Sequence, residues 1–307
     1  MNYQAALRTD RMSKALTGLT VREFTDLIKD FSYYYNEHEA KRKKKRQRKV
    51  GGGRNSRIET IEEKLFYILW YMKTYPTFDV ASFQVDFARS NACTWVHELL
   101  PILELTMKRK FVLPERKISD PEEYFRLFPE AKEVFVDAVE RLKQRPKKKK
   151  AQQKAYSGKK KTHTRKSVVV SDKKKRILVV TKQKSGRRHD KRLADKENIF
   201  EMIPKEISVM ADTGFIGEAK VHTNILIPKK KTKKNPLTYE EKEMNKLISS
   251  YRVIVEHAIG GIKRYRCMSE KLRNHKAFID DTFILLASGL WNYHLASIPK
   301  LNKIAIA

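Results

Sequence analysis

Cysteine is nearly absent from this chain: Cys93 and Cys267 are the only two among 307 residues. Two thiols cannot build a disulfide framework or a cysteine-rich zinc site, so they are expected to stay reduced, as small buried hydrophobes. Long apolar runs are missing too. The longest, Phe283 to Trp291, is far too short to span a bilayer. The first residues, Met1-Asn2-Tyr3-Gln4, hold no apolar signal core. No membrane partner is expected, and the expected location is the cytoplasm. Acidic residues are the third shortage: 67 Lys and Arg face 36 Asp and Glu, a net charge of +31. A protein this basic repels itself unless an anionic partner compensates, and a nucleic-acid backbone is the usual one. A solvated lysine surface is the alternative, but the charge comes in blocks. What remains is ample for folding. The hydrophobic fraction is 40%, and the length suits two domains.

Along the chain, residues 1 to 40 read as a helix pair, with Thr20 and Glu23 forming a capping box before Phe24, Leu27, Ile28 and Phe31 at helical spacing. Lys41 to Lys49 followed by Gly51-Gly52-Gly53 reads as a disordered basic arm. Thr60 and Glu63 open a further helix that stops at Pro76. Asp79–Val85 and Ser90–Leu100 follow as two short helices at helix–turn–helix spacing, with Ser90 as N-cap of the second. On that reading Asn91, Thr94 and His97, beside Arg89, face a DNA major groove. An ordinary helical bundle is the other possibility, since the turn lacks the customary Gly.

After a proline-marked connector the texture turns to strands. Glu133 to Val139 alternates apolar residues and is expected to end its strand near Asp137. Thr164–Ser171 and Arg176–Thr181 read as a hairpin, Asp190–Met202 as a helix, and Ile207–Ala211 as a buried strand. Asn224–Pro228 is another short strand. A long helix runs from near Thr238 to about Tyr265, and a last one covers Ile279 to Leu295. Strands mixed with helices in this order imply an α/β sheet covered by helices.

Three carboxylates stand where such a sheet presents functional groups: Asp137, Asp212 and Glu256. Asp212 ends the buried strand and opens the glycine-bracketed Thr213-Gly214-Phe215-Ile216-Gly217 turn. On the long helix, Asn245, Arg252, Glu256 and Lys263 fall within an arc of about 40° beside an apolar stripe of Ile248, Val255, Ile259 and Ile262. A surface ion pair of Arg252 with Glu256 would explain the same spacing, and an acidic residue ending a strand, as Asp137 is expected to, is more often a turn residue than a ligand. Composition and spacing alone do not name a reaction.

At Glu256 a known pattern emerges. Arg252-x3-Glu256-x6-Lys263 resembles the tail of the Tyr-x2-Arg-x3-Glu-x6-Lys signature of bacterial insertion-sequence transposases, DDE enzymes to which Harbinger-type elements are related. Tyr156-Ser157-Gly158-Lys159-Lys160, with His163-Thr164, is similar to another block of that group. So are His189-Asp190-x2-Leu193, Ala211-Asp212-Thr213-Gly214-Phe215-x-Gly217, and the approach from Leu237 through Asn245 to Ile259-Gly260. The likeness covers nearly the whole chain. Two departures stand out. Ser249 occupies the signature Tyr position, and Asp137-Ala138-Val139-Glu140 replaces the usual Asp-Gly-Thr-Glu.

The resemblance implies an RNase H-like catalytic domain over 131–298, preceded by an all-α helix–turn–helix domain over 55–110. An N-terminal helical segment and basic arm over 1–54, a connector over 111–130 and a tail over 299–307 complete the chain. It further implies that Asp137, Asp212 and Glu256 hold two Mg²⁺ or Mn²⁺ ions for phosphodiester hydrolysis and strand transfer. Arg252 and Lys263 would contact transposon-end phosphates, with His189, Asp190 and Asn245 in support. The expected partner is double-stranded DNA, both the terminal inverted repeats and the target. A homodimer or larger assembly on DNA is expected, associated with the bacterial nucleoid. Two rivals stand beside this reading: a catalytically inactive or domesticated DNA-binding derivative, and an RNase H-like structure-specific nuclease.

Overall fold

The computed structural model describes residues 2–44, 56–232 and 236–298. The glycine-flanked end of the expected basic arm and the tail from 299 lie outside the described residues. The chain divides into two compact units. One comprises 1–113, 264–267 and 289–307, and the other 114–263 and 268–288.

The first unit is helical. It opens with α1 (Tyr3–Ala6), α2 (Asp10–Thr17) and α3 (Val21–Lys44), followed by α4 (Ile61–Thr74), α5 (Phe78–Val85) and α6 (Arg89–Arg109). Both expected capping boxes form. The Glu23 N–H donates to Thr20 Oγ1 while Glu23 Oε2 accepts from the Thr20 N–H, and Thr60 and Glu63 repeat the exchange. Three expectations need correction. Lys41–Lys44 belong to α3 rather than to a disordered arm, because Lys41 and Arg42 pair with Glu37 and Glu39 one turn back. The second helix of the expected pair starts at Arg89, with Ala88 rather than Ser90 at the N-cap. It also continues through Pro101 to Arg109, because its apolar face stays buried through Leu99, Leu103, Thr106 and Met107. That burial outweighs the missing N–H of one proline.

The second unit is a mixed α/β fold. Its elements are α7 (Pro121–Leu127), β1 (Glu133–Leu142), α8 (Lys149–Ala155), β2 (Tyr156–Ser157), β3 (Thr162–Asp172), β4 (Ile177–Val180) and β5 (Lys184–Ser185). Then come α9 (Asp190–Lys196), β6 (Ser208–Ala211), β7 (Ile225–Leu226) and α10 (Tyr239–Lys263), while α11 (Arg266–Ser269) and α12 (Ile279–Ser297) are each divided between the two units. The α7 helix sits inside what reads as connector. Its signal is present in the sequence as Asp120, whose carboxylate caps the helix, followed by Pro121 in the first turn. The α9 helix is shorter than expected, ending at Lys196 rather than near Met202.

Strand β3 pairs antiparallel with both β1 and β4, and β6 joins the far side of β1 in parallel and then pairs with β7. Alternation along β1 sends Val134 and Val136 into a core with Val168, Val170, Leu193, Phe200, Val209 and Phe215. Phe135, Asp137 and Val139 therefore face the other side of the sheet, where α10 packs on β1, β3 and β6. Ile248, Val255, Ile259 and Ile262 of α10 are all buried, as their spacing predicts. None of the described helices is long and apolar enough to cross a membrane.

Candidate active site

Two carboxylates are brought together by strand register. β1 and β6 run parallel, with Val136 opposite Ala211. The next residue on each strand is Asp137 and Asp212, and both turn away from the core that takes Val136 and Ala211. Asp137 does not end its strand, contrary to the sequence reading. β1 continues to Leu142, paired with Thr164 of β3. It is β6 that stops, so Asp137 sits mid-strand where its neighbour's ladder gives out.

Each carboxylate is fixed by the adjacent amide. Asp137 Oδ1 accepts from the Ala138 N–H at 2.7 Å, and Asp212 Oδ1 from the Thr213 N–H at 2.5 Å. Burial pushes the Asp137 carboxyl above its ordinary value. The Ala138 N–H and Arg252 oppose that rise, while the charges of Asp212 and Asp190 add to it. The site therefore has an unanswered demand for positive charge.

Arg252 answers it in part. From α10 its guanidinium reaches Asp212 at 3.6 Å and Glu256 at 3.9 Å, so the three residues form one chain of charges. Glu256 is the loosely held member, with its side chain 59% exposed. Among the described residues no three His, Cys, Asp or Glu side chains converge on a common ligating point. The Asp137–Asp212 pair nevertheless has the chemistry of a divalent-cation seat: hard oxygen donors, like charge side by side, and one carboxyl kept high by burial.

Behind the pair lies a buried ion network that sequence reasoning missed. Lys166 of β3, almost wholly buried, pairs with Asp190 at 2.8 Å and Glu140 at 3.8 Å. Its ammonium also donates to the Arg188 carbonyl. Glu140 accepts from Thr164 Oγ1 at 2.5 Å. The signal was there: Lys166 is a charge two residues before the Val168-Val169-Val170 run of a strand. Asp190 reaches toward the Asp212 turn, since a Cβ on Gly214 would stand 3.1 Å from Asp190 Oδ2. Gly214 thus permits the close approach, and Gly217, at φ +102°, closes the turn.

The remaining expected residues are dispersed. Asn245 clamps the Lys229 backbone, accepting from its N–H at 2.8 Å and donating to its carbonyl at 2.9 Å. Lys263 is exposed at the end of α10. His189 stands exposed at the N-cap position of α9. In the helical unit Asn91 and Thr94 are exposed, and Arg89 pairs with Asp79 at 3.1 Å. His97 instead turns edge-on to Phe78, with Nδ1 3.6 Å from Cys93 Sγ.

Parallel strand register sets Asp137 in mid-β1 beside Asp212 just past the end of β6, with Glu256 on the helix that packs on both strands. The chain belongs to the DDE superfamily endonucleases, whose family model matches residues 136–292. It is 30% identical over 245 residues to the "Probable transposase for insertion sequence element IS702" of Microchaete diplosiphon, covering 80% of this chain and 84% of that protein. No solved structure matches the chain. The protein is thus a DNA-cleaving enzyme of the insertion-sequence transposase class, and endonucleases of this family work with divalent metal ions.

Proposed function

We propose that the protein binds the terminal inverted repeats of its own insertion sequence, cleaves DNA at the element's ends and joins them to a target, with Asp137, Asp212 and Glu256 as the metal-holding triad. The single observation that carries this reading is the register that sets Asp137 beside Asp212 under an α10 face bearing Arg252 and Glu256. Two Mg²⁺ or Mn²⁺ ions bound there would supply the Lewis-acid charge that activates an oxygen nucleophile and offsets charge at the scissile phosphate. The chain's own residues do the positioning. The Ala138 and Thr213 amides hold the two aspartates in fixed rotamers. Glu256, solvated on its helix, would turn from Arg252 toward the aspartate pair when metal binds. Arg252 is then free to meet a DNA phosphate, the role the resemblance implies for it and for Lys263.

The departures from the family pattern are compatible with activity. Ala138 lies within β1 and is not among the positive-φ residues, so glycine is not required there. Val139 is buried in place of the usual threonine. Ser249 Oγ donates to the Asn245 carbonyl of its own helix. The sheet, antiparallel on one side of β1 and parallel on the other, suits the RNase H-like core that the resemblance implies.

DNA-end recognition is assigned to α5 and α6 as a helix–turn–helix, with Arg89, Asn91 and Thr94 as base or phosphate contacts. The support is the packing of α5 on α6 and the exposure of those residues; His97 is the least available of the four. His189 and Asp190 are proposed as supporting residues and Asn245 as a brace. Paired processing of both ends calls for a dimer or larger assembly on nucleoid DNA. The test is direct. Protein, Mg²⁺ and DNA carrying the element's end are mixed, and nicking is followed. Wild type should nick and Glu256→Gln should not; equal nicking by both sinks the triad.

A further inference from the structure

A cavity of about 1050 Å³ lies in the α/β unit, outside the carboxylate site. Its lining is strongly basic. Arg145, Lys159, Lys166, Arg187 and Arg188 face it against a single carboxylate, Asp190. Lys166 is committed to the buried network, but the others retain donors. Arg187 and Lys159 are exposed. Nη1 of Arg188 is buried with no hydrogen-bond partner among the described residues. A buried guanidinium nitrogen left without an acceptor costs free energy unless a ligand supplies one. The wall also carries an aromatic pair, Tyr156 edge-on to His163 at 5.8 Å, and Tyr156 is 42% exposed.

Asp190 joins this cleft to the catalytic carboxylates. It lines the cavity, packs against Gly214 beside Asp212, and adds to the field on Asp137. The cleft and the Asp212 turn therefore share Asp190. Guanidinium groups beside an exposed aromatic face match the chemistry of a single nucleic-acid strand, whose phosphates need cations and whose bases need a stacking surface. A duplex is too bulky for a cavity of this size, whereas a short length of single strand fits. We propose that this cleft is a single-stranded DNA subsite, with phosphates on Arg145, Arg187 and Arg188 and a base on Tyr156. It rests on the DNA-cleaving reading above and deepens it by naming where the strand flanking the scissile phosphate goes. The Lys147–Lys150 run leading into α8 adds long-range attraction toward the same opening.

The test uses the full chain in EDTA with a fluorescein-labelled single-stranded oligonucleotide of mixed sequence, a blunt duplex as control, and the same single strand carrying 5-iodouracil for photocrosslinking. The Arg145→Ala/Arg187→Ala double variant removes two exposed cations. It should flatten the dependence of log affinity on log salt by about 1.4 for the single strand. Tyr156→Ala should weaken single-strand binding about tenfold, and Tyr156→Phe, which keeps the ring, should restore it. Crosslinks should map to Tyr156 or His163. An unchanged salt slope in the double variant, or crosslinks only outside the cleft, overturns the proposal. Binding is measured without divalent ions, so the two readings fail separately. A wild type that cannot nick with Mg²⁺ would undermine the triad and leave the strand-binding result standing.

Discussion

Carboxylates in the two units have opposite surroundings. In the helical unit Glu23, 4% exposed, accepts from the Thr20 N–H at 2.6 Å and meets His294 Nδ1 at 2.8 Å. Burial alone would lift its carboxyl, but the bonds from His294 and Thr20 outweigh that and hold it below the ordinary value. Asp26 nearby is held low chiefly by its bond from Lys110, with Tyr293 adding a second. In the α/β unit Asp137 has one amide, a distant arginine and a second aspartate alongside, and its carboxyl is pushed up by burial. A carboxylate answered by the fold serves the fold. One left beside a like charge is, under the proposed function, a place for a divalent cation.

The largest effect should fall on chemistry. Asp212→Asn and Glu256→Gln are each expected to reduce Mg²⁺-dependent nicking by more than about a thousandfold, the scale on which enzymes lose transition-state charge stabilisation. Glu23→Gln should leave the nicking rate of folded protein unchanged. Loss of nicking in all three alike would erase the distinction between the regions. Next in size is Lys166→Met. It removes the cation that Glu140 and Asp190 share, leaving two nearly buried carboxylates unpaired. A cost of about 3 kcal/mol is expected, read as a lower denaturant midpoint. A midpoint within error of wild type would mean that the network is solvated and plays no part in holding the Asp212 turn.

Glu23 offers a test with a definite pH sign. Its folded value is depressed, so its stabilisation is present above the ordinary carboxylate value of about 4.3 and is lost as pH falls through the folded value. Wild type should therefore lose more melting temperature than Glu23→Gln on acidification from about pH 6 to about pH 3, and the two should converge in acid. At neutral pH the variant should be less stable by about 1 kcal/mol. Parallel melting curves at every pH would show that the His294 and Thr20 bonds carry no net stabilisation.

Local signals explain why some of this was legible in the sequence. Asp212 follows four strand residues and precedes a glycine turn, so its place at a strand end could be read directly. Glu256 declared its face through Ile248, Val255 and Ile259, all buried as the spacing predicts. Asp137 was misplaced within its strand because the second half of β1 carries Glu140 and Arg141, which look like loop residues. Arg141 is 1% exposed, bonded to the Glu270 carbonyl and stacked over Phe283. Its partners lie more than a hundred positions away, beyond any local pattern. The helix expected over Ser90–Leu100 was likewise ended too early, since the burial of Ile102, Leu103, Thr106 and Met107 carries it on through Pro101. The basic cleft was invisible for a related reason. Arg145, Tyr156, His163 and Arg187 come from separate segments that only the sheet assembles.

The smallest effect is the one that isolates the comparison. Asp137→Asn keeps the size of the side chain and its acceptor for the Ala138 N–H, and removes the charge. In metal-free buffer near neutrality the wild-type aspartate must ionise against burial and against Asp212, because its folded value lies above the unfolded one. A raised carboxyl contributes stability only below its unfolded value and loses it as pH climbs through the folded one. Removing the charge should therefore stabilise the metal-free protein by about 1 kcal/mol, seen as a melting temperature a few degrees higher. The same substitution should abolish nicking and cancel the melting-temperature gain that wild type shows on adding Mn²⁺. Stability rising while function disappears is the mark of a charge kept for a ligand. Were Asp137→Asn to destabilise the metal-free chain as Glu23→Gln does, Asp137 would belong with the structural carboxylates, and the contrast between the two units would fail at its most sensitive residue.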